Sequence, residues 1–101
     1  MSASLCAEII RIRPKDADSE ARALAIRDEM VQSYRDQFPG FVSCRLMRTE
    51  ESGEWVDLWY WRDRGNAEEA LADTDRTPLF QEWTTLVDMI SFEWAEVVTD
   101  H

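Results

Sequence analysis

Residues 54–63 read EWVDLWYWRD and hold three of the chain's five tryptophans together with one tyrosine and one carboxylate, Asp57. Side chains alternate across a β-strand, so Trp55, Asp57, Trp59 and Trp61 share one face and Val56, Leu58 and Tyr60 the other. A strand that is apolar on both faces needs two covers. An acid among tryptophans needs a reason, and these two demands organise the rest of the chain.

The neighbouring segments supply the first cover. Residues 5–13, LCAEIIRIR, are rich in isoleucine, partly alternate and read as a strand that Pro14 ends. Asp16 or Asp18 is a plausible N-cap for a helix over about residues 19–38, which "PG" at 39–40 stops. Residues 41–48, FVSCRLMR, form a second strand with Val42, Cys44 and Leu46 on one face and Phe41 and Met47 on the other. The polar turn TEESGE then makes an antiparallel hairpin with the tryptophan strand. Asn66, with Glu69 three residues on, caps the next helix in capping-box fashion. After a break at DTDR, Thr77 and Pro78 start another, whose stripe is Leu79, Trp83, Leu86 and Ile90. Residues 91–98, SFEWAEVV, alternate as a last strand. The order β-α-β-β-α-β is the ferredoxin-like split βαβ, an α+β fold with a four-stranded antiparallel sheet and helices on one side. One domain over residues 1–101 accounts for the whole chain. The second cover is then expected from another copy of the same sheet, in a homodimer formed through the open sheet face.

Composition removes several function classes. The hydrophobic fraction is 45% and the aromatic fraction 11%, enough for a core. The formal net charge is −10, and the 11 basic residues do not cluster, so neither a nucleic-acid backbone nor an anionic membrane surface is an expected partner. No apolar run approaches the roughly 20 residues of a bilayer span. The N-terminal stretch has no basic leader and carries Glu8 inside its only apolar run, which argues against a signal peptide and for a cytoplasmic protein. Two cysteines, Cys6 and Cys44, and one histidine, the terminal His101, offer no metal-ligand spacing, so no metal is expected. Both cysteines read as buried, reduced strand residues.

Three polar residues stand out against this background. Buried without a partner, Asp57 would have a raised pKa and act as a proton acceptor; alternatively it pairs with an arginine or a backbone N–H, or lies at a solvated strand end. Arg27 falls near the middle of the helical stripe Ala23, Ile26, Met30, Val31, Tyr34 and Phe38. It either snorkels out or pairs inside, with Asp57 available, as a structural salt bridge or as the polar end of a ligand pocket. Tyr34 carries a hydroxyl that needs a partner. Trp59, Trp61 and Trp83 are either core or the walls of a flat aromatic pocket.

The segments FPGFVSCRLMR, EWVDLWYW and RTPLFQEW together resemble the antibiotic biosynthesis monooxygenase-like domain, one of the dimeric α+β barrels. Trp61 matches that family's strand-three tryptophan, and Pro78 and Phe80 match its later helix. The resemblance spans nearly the whole chain and implies a ferredoxin-like protomer, sheet-to-sheet pairing and a pocket between sheet and helices. One branch oxidises polycyclic aromatic phenols to quinones without a cofactor and keeps an asparagine where this chain has Asp57. An acid there can accept a phenol's proton but cannot donate an amide hydrogen bond to an oxyanion. Haem-degrading members use a histidine about where Thr84 stands, so haem chemistry is not expected.

The resulting expectation is a cofactor-independent monooxygenase-like enzyme acting on a small aromatic or phenolic compound. Asp57 would be its base, Arg27 and Tyr34 would orient the substrate, and Trp59, Trp61 and Trp83 would bind it. The substrate carbanion would itself reduce oxygen, so no metal or flavin is required. The alternatives are a non-catalytic dimeric binding or scaffold module, and an isomerase or lactone-handling enzyme on the same fold.

Overall fold

A computed structural model describes residues 4–101. The first three residues, part of the stretch read for a leader, lie outside them. The elements are β1 (Cys6–Pro14), α1 (Ala17–Gln37), β2 (Phe41–Arg48), β3 (Trp55–Trp61), α2 (Arg64–Ala72), a 3-10 turn (Thr74–Arg76), α3 (Pro78–Leu86) and β4 (Val87–Glu96). The sheet order is β2-β3-β1-β4, and every neighbouring pair is antiparallel. This is the ferredoxin-like α+β arrangement anticipated from the sequence, with the second helical region broken in two. Among the described residues no helix is long and apolar enough to cross a membrane.

The local signals that end the elements are mostly the expected ones. Asp16 caps α1 by accepting from the Ser19 N–H at 2.7 Å, an acceptor for an otherwise orphaned donor. Pro78 occupies the first turn of α3, where its missing N–H costs nothing. The cap of α2 is Asp63 rather than Asn66: its carboxylate accepts from the Asn66 backbone at 2.8 Å and from the Asn66 side chain at 2.8 Å. Gly40 is required by close approach, since a Cβ there would come within 2.3 Å of the Asn66 side chain. Gly53 turns the β2–β3 hairpin at φ 73°, in the left-handed region.

Two register shifts alter the expected faces. β2 pairs Phe41 with Trp61 but Cys44 with Trp59, leaving Val42 as the extra residue. Phe41 therefore lies on the tryptophan face beside Cys44, packing edge-on against Trp59 and Trp61 with ring centroids 5.7 Å from each. Val42 is exposed instead. In β4, Arg11 pairs with Ser91 and Ile12 with Met89, so Ile90 is the bulged residue. Ile90 thus belongs to β4 and not to the α3 stripe, and β4 starts at Val87 rather than at 91. The extra residue lets Met89 and Phe92, three apart, face the same side of the sheet.

That side holds the core. Trp55, Asp57, Trp59 and Trp61 are buried beneath the helices, while Val56, Leu58 and Tyr60 are half-buried on the opposite face. From α1 come Ala23, Ile26, Met30 and Tyr34, from α2 Ala67 and Ala70, from α3 Trp83. Cys6 is buried and Cys44 half-buried, both as free thiols.

Candidate active site

Helices and sheet do not close completely on one another. They enclose a cavity of about 530 Å³, within the size range of small-molecule sites. The sheet supplies Glu8, Ile10 and Ile12 from β1, Asp57, Trp59 and Trp61 from β3, and Val87, Met89 and Phe92 from β4. The helices supply Met30 and Tyr34, Ala70 and Leu71, and Phe80, Trp83 and Thr84. Leu71, Thr84 and Met89 are solvent-exposed, so the cavity opens between α2, α3 and β4.

Five of the six residues singled out in the sequence line this space, and the sixth, Arg27, reaches it through Asp57. The Arg27 guanidinium donates from Nη1 to Asp57 Oδ2 at 2.8 Å and from Nη2 to Asp57 Oδ1 at 2.7 Å, a fork-on-fork pair with both partners buried. Its carbon sits 5.3 Å from the Trp59 ring centroid and 5.1 Å from that of Trp83, so the cation lies between two aromatic faces. Burial works against the Arg27 charge, but the Asp57 hydrogen bonds and charge outweigh it and raise the Arg27 pKa. Nη2 also donates to Cys44 Sγ at 3.5 Å. Of the options open in the sequence, Asp57 takes the arginine partner. Both its oxygens are occupied and its charge is matched.

The unpaired acid in the cavity is Glu8. It is 7% exposed. Desolvation drives its pKa up, the nearby Asp57 charge adds to this, and the Trp61 indole N–H pulls it partly back, leaving it at about 7. The Trp61 Nε1–H is itself buried and makes no hydrogen bond of ordinary geometry. Glu8 lies directly opposite Trp59 in the β1–β3 ladder, which sets it diagonally between Asp57 and Trp61. In the sequence Glu8 marks only a charge in an apolar run. The available signal was alternation: Cys6, Glu8, Ile10 and Ile12 share a face, so the acid shares the side of three apolar residues.

Tyr34 completes the polar set. Burial pushes its phenol up to about 12, with Thr77 beside it acting in the opposite direction, so it stays neutral and can donate. Its ring stands edge-on to Trp59 at 4.9 Å between centroids. Among the described residues no three His, Cys, Asp or Glu side chains gather as a metal site.

Trp61→Phe removes the indole N–H that favours ionised Glu8. The expected result is an upward move of the Glu8 pKa by roughly one unit, measured as a shifted carboxyl titration; an unmoved titration would show that the indole does not tune this acid.

No family model and no curated protein matches the chain. Solved structures do. SnoaB of Streptomyces nogalater, a cofactor-independent oxygenase, superimposes with a TM-score of 0.73 at 20% identity, over 98% of this chain and 96% of that one. HapK of Hahella chejuensis gives a TM-score of 0.76 at 16% identity, over 95% of each chain. A candidate antibiotic biosynthesis monooxygenase of Chloroflexus aurantiacus gives 0.72 at 13% identity, over 97% of each. The chain therefore has the antibiotic biosynthesis monooxygenase-like fold that the sequence motifs resemble.

Proposed function

We propose that the protein is a cofactor-independent monooxygenase-like enzyme acting on a small aromatic phenol, with Glu8 rather than Asp57 as the proton acceptor. The observation that carries this reading is a buried acid with a pKa of about 7 in a tryptophan-walled cavity beside a self-neutralised Arg27–Asp57 pair. A base poised near the working pH combines availability with driving force. The similarity to SnoaB supports the choice of reaction class.

The chemistry requires little beyond the substrate and O2. The substrate is a phenol that presents its O–H to Glu8 and has a ring C–H conjugated to that oxygen. Ionised Glu8 removes the O–H proton. The electron-rich carbon passes an electron to O2, and the resulting pair combines through a new C–O bond to a peroxide anion, which takes the proton back from Glu8. Glu8 then removes the remaining C–H proton as the O–O bond breaks, and hydroxide leaves with that proton as water. The phenol's C–OH and ring C–H plus O2 become two C=O groups plus H2O, and Glu8 ends as it began. Trp59, Trp61 and Trp83 hold the ring system flat, while neutral Tyr34 donates to a substrate oxygen. The Arg27–Asp57 pair fixes Trp59 and Trp83, which makes it a positioning unit.

The half-buried Val56, Leu58 and Tyr60, with exposed Val42 and Met47 nearby, support the proposal that two copies pair through their open sheet faces.

The test is oxygen uptake with a panel of polycyclic phenols. Turnover is expected with stoichiometric O2 consumption and a pH profile rising through about 7, and Glu8→Gln should lower kcat at least about 100-fold. Turnover without oxygen uptake would indicate proton transfer alone, as in the isomerase reading. Full turnover by Glu8→Gln would remove Glu8 from the mechanism.

A further inference from the structure

The charges around the cavity are arranged asymmetrically. Two cations lie nearby: Arg27, which Asp57 consumes with two hydrogen bonds, at 2.8 and 2.7 Å, and Arg64, which stacks on Trp94 outside the lining and pairs with Glu68. The polar groups left for a ligand are Glu8, a neutral Tyr34 hydroxyl and, on the exposed side, the Thr84 hydroxyl, whose proton goes to the Gln81 carbonyl. No free positive charge remains among the cavity-lining residues to balance an anion. We infer that the cavity takes its ligand as an uncharged molecule that hands an O–H or N–H to the Glu8 carboxylate, and that it turns away carboxylates and other anions. This rests on the reading of the cavity as a ligand site but not on the oxygenation step.

The physical reasons are of two kinds. A second negative charge placed beside Glu8 in an apolar cavity would be unpaired and desolvated, which is costly. A ligand that lacks a donor would leave the Glu8 oxygens without the hydrogen bond that water otherwise gives them. A site built to hydrogen-bond a hydroxyl discriminates strongly against its absence. Specificity here comes from a repulsive element as much as from an attractive one.

The selectivity depends on pH through Glu8, and its surroundings make the dependence simple. The ionisable groups whose charges reach Glu8 are Asp57 from β3, Tyr34 from α1 and Cys6 from its own strand. Across the ladder to β4 it meets Trp94, whose ring is covered by the Arg64 guanidinium of α2 at 4.0 Å, and Arg64 is itself paired with Glu68 at 2.8 Å. Ala70, Leu71, Phe80, Trp83 and Thr84, which bring α2 and α3 to the cavity, carry no charge. Above about pH 7 Glu8 is ionised and accepts; below it Glu8 is neutral and its repulsion of an anion fades.

Calorimetric titration of the full chain with three probes of one ring system tests the inference: 2-naphthol, 2-methoxynaphthalene and naphthalene-2-carboxylate, at pH 6 and pH 8. At pH 8 the naphthol should bind at least about tenfold more tightly than either of the others. The carboxylate's disadvantage should shrink at pH 6 and in Glu8→Gln. A carboxylate or methoxy compound that matches the naphthol in the wild-type chain overturns the inference, as does failure of all three to bind. The wild-type panel decides the question even if the variant does not fold. Naphthol selectivity without any oxygen uptake would support this inference while overturning the oxygenase reading.

Discussion

Glu8→Gln is expected to make the protein more stable at pH 8 while it abolishes turnover. The folded chain raises the Glu8 pKa from 4.5 to about 7, mainly by desolvation. Between those two values the folded state holds a proton that the unfolded state has released, so stability falls as pH rises through the window. Above it the penalty is complete, on the order of 3 kcal/mol from a shift of this size. Glutamine keeps the shape and carries no charge, so the variant avoids the penalty. A gain of about 2–3 kcal/mol at pH 8 corresponds to roughly 10 °C or more in Tm for a domain of this length, and the two proteins should converge toward pH 4.5. Thermal melts at matched protein concentration measure this. A variant less stable than wild type at pH 8 would mean that ionised Glu8 has a partner. The trade of stability for an ionisable group in an apolar cavity is what a functional acid looks like energetically.

The second large effect concerns the pair that braces the cavity. Arg27→Met leaves Asp57 as a buried charge without its cation, and Asp57→Asn leaves the guanidinium between Trp59 and Trp83 without its anion. Each single change should cost about 3–5 kcal/mol. Arg27→Met combined with Asp57→Asn should cost clearly less than the sum, because no charge is then stranded. Urea unfolding of the four proteins gives the coupling directly; additive losses would mean that the fork contributes little beyond packing. Activity adds a separate readout. If Glu8 is the base, folded Asp57→Asn keeps a pH profile with an acidic limb. If that limb disappears with Asp57 and persists in Glu8→Gln, the two acids must exchange roles.

The fold was legible because its signals are local and repeated. The alternation of EWVDLWYWRD, the Pro-Gly stop after α1 and the Thr77-Pro78 start of α3 each use backbone chemistry that acts within a few residues. The misassigned features have non-local causes. Ile90 keeps helical spacing after Trp83 and Leu86, yet pairing with β1 draws it into β4 as a bulge. Phe41 changes face because Val42 is extra in the β2–β3 ladder. Neither bulge is written in a single strand, since each is a mismatch between two. The site divides in the same way. Arg27 in an apolar helical stripe and Asp57 in an aromatic strand both announce a buried charge, and their pairing follows from opposite signs. Glu8 was hidden because its strand is only partly alternating, and because its lack of a cation depends on Asp57 having taken Arg27. That competition among three residues from α1, β1 and β3 exists only in the folded chain.

The most direct test is a titration of the glutamate carboxyl carbons, labelled with carbon-13 and followed by NMR in wild type and Glu8→Gln. The account predicts one carboxyl that titrates near pH 7 and vanishes from the spectrum of the variant. If every glutamate titrates in the ordinary carboxylate range, Glu8 is neither desolvated nor unpaired, and the central claim about this cavity fails.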